Sequence, residues 1–166
     1  ENFENTSMTR SCWSNIQEAG TSDWTYNTGS SGGTITAAYN GTMNARFVSA
    51  SGTNSPITKL VSPTLDLSSL LAPRVKFYYG QEVWAGDQNY TRLLYRTSNS
   101  GAWTEIWADS SSVSVWTEVT VSLPNPSSTY QIAFEGINNW GYANVIDDVL
   151  IEETPADDLG AFSGMS

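Results

Sequence analysis

The apolar positions of this chain fall in short runs that alternate with polar positions, and no segment keeps a helical period of 3.6 residues. In residues 117–123, Val119, Val121 and Leu123 share one face of a strand and polar residues share the other. The runs are rich in β-branched and aromatic residues and are separated by Gly, Pro, Asn and Ser. They predict strands at 24–26, 45–48, 57–62, 74–79, 92–97, 104–108, 117–123, 130–135 and 144–152.

Short strands at this spacing predict an all-β fold, an antiparallel β-sandwich, and not a βαβ fold. Residues 65–71 lie between Pro63 and Pro73 and are compatible with an edge strand or a short turn. Pro155 ends the last strand, and the small and acidic residues around it have no strand period. We therefore expect a sandwich module at residues 1–154 and a linker or tail toward a further domain at residues 155–166.

Composition narrows the class of protein. The chain has 166 residues, which suits one domain, and a formal net charge of −10. An acidic chain with no basic run is a poor partner for nucleic acid or an anionic membrane. Only 14% of residues are charged, while 12% are aromatic, which favours a secreted or cell-surface β-module cut from a larger protein. No stretch approaches the roughly 20 apolar residues of a membrane span.

Catalytic chemistry has little support in the sequence. The chain has no histidine, which removes His-based triads, His-ligated zinc and imidazole acid–base catalysis. Its one cysteine, Cys12, has no histidine to activate it. A pair of carboxylates could still hydrolyse a glycoside, although sequence alone does not pair them across a cleft. We expect a protein that is not an enzyme.

Two adjacent aspartates, Asp147 and Asp148, interrupt the apolar run of the last strand. Neighbours on a strand point to opposite faces, so one of the two should point inward, where an unpaired carboxylate is costly. Glu4, beside the aromatic Phe3, is a similar case, and adjacent first and last strands would bring it close. Such oxygen ligands suit Ca²⁺, with carbonyls from a loop such as residues 27–33 completing the shell. Alternatively, the aspartates cap loop amides and bind no ion.

Ordered segments of the chain resemble the signature of MAM domains and the related cleaved-adhesin and choice-of-anchor modules of secreted bacterial proteins. These segments are residues 3–5, 12–13, 23–25, 59–65, 75–79, 132–136 and 144–149. The resemblance implies a jelly-roll sandwich with a non-catalytic extracellular role in adhesion or recognition. It also implies a structural Ca²⁺ at Glu4 and at Asp147 or Asp148, with Asp23 as a further candidate ligand.

The chain departs from the MAM pattern at two places. Animal MAM domains hold paired cysteines, whereas this chain has Cys12 alone, which favours a bacterial relative. The acidic residue expected in the loop before residues 45–47 is not evident, and Asn40 could stand in its place.

Two predicted loops, residues 81–90 and 136–143, are unusually aromatic. An antiparallel meander that starts at residues 74–79 places both loops, and residues 109–115, at one end of the sandwich. Exposed rings pack on the C–H groups of a sugar and polar neighbours bond its hydroxyls, as aromatic and polar residues do on other binding surfaces. The candidate ligand-binding residues are Trp84, Asp87, Tyr90, Asn139, Trp140 and Tyr142.

Other interpretations of the loops remain open. Trp84 and Trp140 could cover the open end of the core, or both loops could contact a neighbouring domain of the same protein. The remaining tryptophans fit core or edge packing: Trp13, Trp24, Trp103, Trp107 and Trp116. The leading hypothesis is a carbohydrate-binding module that targets an attached enzyme to a polysaccharide or other glycan. A protein adhesion module or interdomain spacer comes second, and a small glycan-active enzyme third.

Overall fold

The computed structural model describes residues 1–49 and 55–156, and in this part of the chain ten strands form the fold. A 3₁₀ turn, Arg10–Cys12, precedes the first strand. The strands are β1 (Ser14–Ala19), β2 (Thr25–Asn27), β3 (Asn44–Phe47), β4 (Ile57–Val61), β5 (Pro73–Gln81), β6 (Tyr90–Arg96), β7 (Thr104–Asp109), β8 (Val113–Ser122), β9 (Gln131–Ile137) and β10 (Asn144–Glu153).

The strands pack as two antiparallel five-stranded sheets, which confirms the predicted β-sandwich of jelly-roll type. One sheet has the order β1-β4-β9-β6-β7 and is called the β9 sheet. The other has the order β2-β3-β10-β5-β8 and is called the β10 sheet. The expected meander is wrong as a sheet order, because β5, β8 and β10 lie in one sheet and β6, β7 and β9 in the other. Connections that cross between the sheets let the two apolar faces cover each other.

All nine predicted strands are present with small changes at their ends, and one strand was missed. Strand β1 is an edge strand whose side chains are almost all exposed, so it carries no apolar alternation. Residues 65–71 are mainly a turn, in which the Leu70 N–H donates to Leu67 O at 3.0 Å. Leu65 adds one isolated bridge to Tyr130.

The core between the sheets is rich in aromatic rings. Phe77 of β5 contacts the rings of Trp107 and Phe134 at centroid distances of 5.4 and 4.9 Å. On β8, Val119 packs against this core while Glu118 and Thr120 are exposed, as the alternation predicts. Edge-to-face contacts of this kind add to the free energy gained by burying the rings.

The N-terminal segment closes one side of the core. Phe3 is fully buried and contacts the rings of Trp13 and Tyr26 at 5.4 and 5.6 Å. Glu1 pairs with Val149 of β10 through the Val149 N–H, which donates to Glu1 O at 2.8 Å. The first and last strands are not adjacent, since β1 belongs to the other sheet, but Glu1 at the start of the chain does lie beside β10.

Ion pairs cross the outer face of the β9 sheet. Buried Glu135 of β9 lies between Lys59 of β4 and Arg92 of β6, at N–O distances of 2.7 and 2.5 Å. Lys59 also pairs with Glu18 of β1, and Arg92 pairs with Glu105 of β7 at 3.2 Å. Each strand of this sheet thus contributes one charged residue to a row of alternating charge.

The last strand stays attached to the sandwich up to the expected boundary, since the Thr154 N–H donates to Ala72 O at 2.9 Å. Most of the expected linker, residues 157–166, lies outside the described residues. Among the residues that are described, no helix has the length and apolar character needed to cross a membrane.

Candidate functional site

The two aromatic loops lie together at one end of the sandwich. Trp84 and Trp140 are 51% and 40% exposed. Trp84 begins a tight turn in which its N–H donates to Asp87 O at 3.1 Å and the Asp87 N–H donates to Trp84 O at 2.7 Å. The six candidate residues Trp84, Asp87, Tyr90, Asn139, Trp140 and Tyr142 are called the aromatic end surface.

Asn89 joins the two loops. Its Oδ1 accepts hydrogen bonds from the backbone N–H groups of Asn139 and Gly141 at 2.9 and 3.0 Å, and its Nδ2 donates to Tyr142 O. The side chain is fully buried, so these bonds fix the loops to each other. Sequence reasoning gave Asn89 no role, because one asparagine among several polar loop residues carries no sign of burial.

The third loop expected at this end also joins the other two. Gln88 Nε2 donates to Ser111 O at 3.0 Å, and Asn139 Nδ2 donates to Gln88 O at 3.2 Å. The predicted proximity of the three loops is therefore confirmed, although the strands that carry them belong to both sheets.

The six candidate residues differ in their exposure to solvent. Asp87 is exposed, while Tyr90, Asn139 and Tyr142 are half-buried. The Tyr142 ring lies so close to Gly32 that a Cβ there would come within 2.4 Å of it. Tyr142 therefore serves packing at least in part, and the two tryptophans present the free aromatic surface.

Most of the predicted metal ligands converge on the loop of residues 39–43. Asp147 Oδ2 accepts the N–H groups of Tyr39 and Asn40 at 3.0 and 3.3 Å. Asn40 Nδ2 donates to Asp148 Oδ2 at 3.3 Å. Asn40, which the sequence offered in place of a missing acidic residue, thus contacts both aspartates.

Glu4 holds the other end of the same loop. Its carboxylate accepts the Thr42 N–H at 2.6 Å, the Thr42 hydroxyl at 2.7 Å and the Met43 N–H at 2.7 Å. These bonds, and that of the Thr42 hydroxyl most of all, hold the pKa of the Glu4 carboxyl below its usual value.

The expectation that one of the two aspartates points into the core is wrong. Asp147 lies opposite Tyr78 on the outer face of the β10 sheet, and it is fully buried there because the loop of residues 39–43 covers it. Burial raises the pKa of Asp147 to about 6, and the charge of Asp148 acts in the same direction, while backbone hydrogen bonds oppose the shift. Strand β10 has a register shift between Asp147 and Leu150, and Asp148 has a φ of 46°. Because of this irregularity, the Asp148 carboxylate faces the same loop of residues 39–43 as the Asp147 carboxylate.

Asp23 is placed differently from the other acidic candidates. Its carboxylate accepts a bond from Gln17 Nε2 of β1 at 2.9 Å, beside the β9 sheet. Across residues 1–49 and 55–156, no three acidic or cysteine side chains form a cluster that could hold a metal ion. A cation near Asp147 would therefore need backbone carbonyl or water oxygens as further ligands.

Comparison with known proteins identifies the family. The model of the MAM domain, described as meprin/A5/mu, matches residues 2–156. The chain therefore belongs to the MAM domain family. No curated protein matches the chain significantly.

Solved structures show the same fold at low sequence identity. The K1 and K3 cleaved adhesin domains of Lys-gingipain from Porphyromonas gingivalis are 19% and 21% identical, both with a TM-score of 0.69. In both comparisons the match covers 93% of this chain and 97% of the other. A family 61 carbohydrate-binding module in complex with β-1,4-galactotriose is 12% identical with a TM-score of 0.58, covering 93% of this chain and 99% of the module.

Proposed function

We propose that this MAM domain is a non-catalytic recognition module that binds a glycan through its aromatic end surface. The observation that carries the proposal is that Trp84 and Trp140 stay largely exposed on loops that the buried Asn89 holds in place. Exposing large rings to water is unfavourable, and rigid loops leave them no freedom to fold back onto the core.

The chemistry of this surface suits a sugar. Rings offer flat apolar faces to C–H groups, and Asp87 and Asn139 beside them offer an acceptor and an amide to hydroxyl groups. Because the loops are already ordered, a ligand would lose less affinity to the ordering of side chains. The net charge of −10 favours a neutral glycan over a sulfated one.

The comparisons support a binding role for a secreted or cell-surface module. A family 61 module with the same fold was solved with β-1,4-galactotriose, which makes galactan a reasonable first ligand to test. The likeness to two cleaved adhesin domains supports a second candidate, protein adhesion, in which the same tryptophans would meet a protein partner.

The glycan proposal predicts a loss of binding when the tryptophans are removed. The domain should be retarded in affinity gels by one class of neutral polysaccharide, and Trp84→Ala or Trp140→Ala should weaken this at least tenfold. The melting temperature should change little, because both side chains are exposed.

Leu71→Ala is the control variant, because Leu71 is exposed and lies two residues before β5, at the end of that strand away from these loops. Equal retardation of all three variants and the parent would contradict the proposal. Binding to proteins but to no glycan would favour adhesion, and release of reducing ends would indicate an enzyme.

We also propose a structural Ca²⁺ beside the loop of residues 39–43, held by Asp147 and Asp148 together with backbone carbonyl or water oxygens, while Glu4 fixes the other end of that loop. The support is Asp147 itself, a buried carboxylate that receives hydrogen bonds from neutral backbone groups and lies beside a second negative charge. A bound cation would offset that charge and connect the loop of residues 39–43 to β10.

Calcium removal should lower stability. A ligand at 100 times its dissociation constant stabilises a fold by about 2.7 kcal/mol, so chelation should lower the melting temperature by about 5–10 °C. Added Ca²⁺ should restore it. Asp147→Asn should melt at a lower temperature in Ca²⁺ and respond little to chelator.

Asp23→Asn tests whether Asp23, which lies apart from Glu4, Asp147 and Asp148, is also a ligand. If Asp23 only contacts Gln17, this variant keeps the full response to chelator, whereas a ligand role would diminish it. An unchanged melting temperature after chelation, with no metal found by elemental analysis, would refute the calcium proposal.

A further inference from the structure

A groove of about 670 Å³ lies on the outer face of the β10 sheet, apart from the aromatic end surface. Lys76 and Tyr78 of β5, Glu118 of β8 and Leu150 of β10 line it, with Tyr39 and the N-terminal segment on the side of β10. This volume falls within the roughly 300–1,000 Å³ of pockets that hold small ligands.

Two tyrosines form an aromatic platform in the groove. The rings of Tyr39 and Tyr78 stack with an interplanar angle of 12°, and Tyr39 is still 42% exposed. Trp116 meets Tyr39 edge-on at 6.3 Å, and Leu150 adds exposed apolar surface. An exposed apolar surface of this kind, surrounded by polar residues, is typical of a site where a bound ligand covers the apolar surface.

A donor and an acceptor stand at the edge of this platform. The Tyr78 hydroxyl donates to Glu118 Oε2 at 2.7 Å, and Lys76 Nζ lies 3.6 Å from the same oxygen. The Tyr78 bond and the Lys76 charge hold the pKa of the Glu118 carboxyl below its usual value, so the group is an ionised acceptor at neutral pH. A carboxylate beside an ammonium can bind the neighbouring hydroxyls of a sugar ring.

The loop that carries Tyr39 is fixed before any ligand arrives. Asp147 accepts the Tyr39 N–H at 3.0 Å, and Glu4 accepts the Thr42 N–H at 2.6 Å. The platform is therefore preorganised, which lowers the cost of binding.

We propose that this groove is a second glycan-binding site and that it takes a neutral sugar. That the ligand is a glycan rests on the proposed function, whereas the location of the groove does not. Three of the lining residues have carboxylate side chains, Glu1, Glu118 and Asp148, and one has an ammonium side chain, Lys76, which disfavours uronates and sulfated sugars. The backbone of the β5 floor is bonded to β8 and β10, so the groove presents side chains that suit hydroxyls rather than a peptide backbone.

The test is titration calorimetry with β-1,4-galactotriose, xylotriose and cellotriose, on the parent protein and on variants of each site. Glu118→Gln keeps the shape and an acceptor for Tyr78 but removes the charge, so it should weaken binding about tenfold or more. Tyr39→Ala should do the same, while Tyr39→Phe, which keeps the stacked ring, should bind nearly as the parent does. Melting temperatures should change little, since these side chains lie outside the core.

The outcomes separate this site from the aromatic end surface. Loss with Glu118→Gln and Tyr39→Ala but not with Trp84→Ala supports the groove and contradicts the end surface as the binding site. Loss with Trp84→Ala alone overturns the groove and leaves the proposed function standing. If both sets weaken binding, two sites are in use. No binding of any of the three sugars overturns the groove proposal, while retardation by a polysaccharide of another class would still support the proposed function.

Discussion

Replacing Phe3 with alanine is expected to lower the free energy of unfolding by about 3–5 kcal/mol, the range for removing a buried phenylalanine ring. Phe3 is fully buried, and its ring contacts those of Trp13 and Tyr26. The three residues come from the N-terminal segment, the residue before β1 and strand β2, so no single element can move to fill the cavity. Urea unfolding followed by circular dichroism measures the change, and the melting temperature should fall by about 10 °C.

Met8→Ala is the matched control for Phe3→Ala. Met8 lies five positions further along the chain and is 91% exposed, so its loss should change stability by no more than about 0.5 kcal/mol. A loss below about 1 kcal/mol for Phe3→Ala would mean that the N-terminal segment does not belong to the cooperative core.

The second large effect is expected for Glu135→Gln, with a loss of about 3 kcal/mol. Glu135 and Lys59 are both buried, and Glu135 bonds Lys59 and Arg92 at 2.7 and 2.5 Å. Removing the charge of Glu135 leaves the Lys59 ammonium with Glu18 as its acidic partner on a largely buried face. The expected loss is at the lower end of the usual 3–5 kcal/mol because that partner remains.

Glu105→Gln tests whether burial is the cause of the large loss of stability expected for Glu135→Gln. Glu105 pairs with Arg92 at 3.2 Å, but it is exposed, so its loss should be at most about 1 kcal/mol. The effect of Glu135→Gln should also persist in 0.5 M salt, because buried pairs are screened less than exposed ones. Equal losses for the two variants, or a Glu135→Gln effect that salt removes, would contradict the assigned role of Glu135.

Candidate site residues could be predicted from the sequence only where aromatic and polar residues are concentrated in one loop. Trp84 and Trp140 could be selected as candidates because each lies among several aromatic and polar residues, and both are exposed. The groove was missed because Tyr39, Tyr78 and Glu118 are about 40 positions apart and each looks ordinary in its own segment. Asn89 was missed because burial of a polar side chain depends on what packs over it.

The acidic residues show the same division. The adjacency of Asp147 and Asp148 in an apolar strand was enough to predict that one carboxylate is buried, but not that a loop buries it on the outer face of the sheet. The interaction of both with the loop of residues 39–43 depends on the irregularity in β10, which no local pattern marks. Asp23, which the resemblance offered as a further candidate ligand, contacts Gln17 of β1.

The sequence by itself determined the strands, the all-β class and the family, because alternation of apolar and polar residues and short motifs are local properties. It could not determine strand β1, because an exposed edge strand needs only backbone bonds to its neighbour. The tertiary structure alone decided which strands share a sheet and which distant side chains form the groove. Strand pairing and groove formation depend on how the apolar faces of the two sheets cover each other. The free energy of that burial comes from contacts between segments far apart in the chain, so no local pattern shows it.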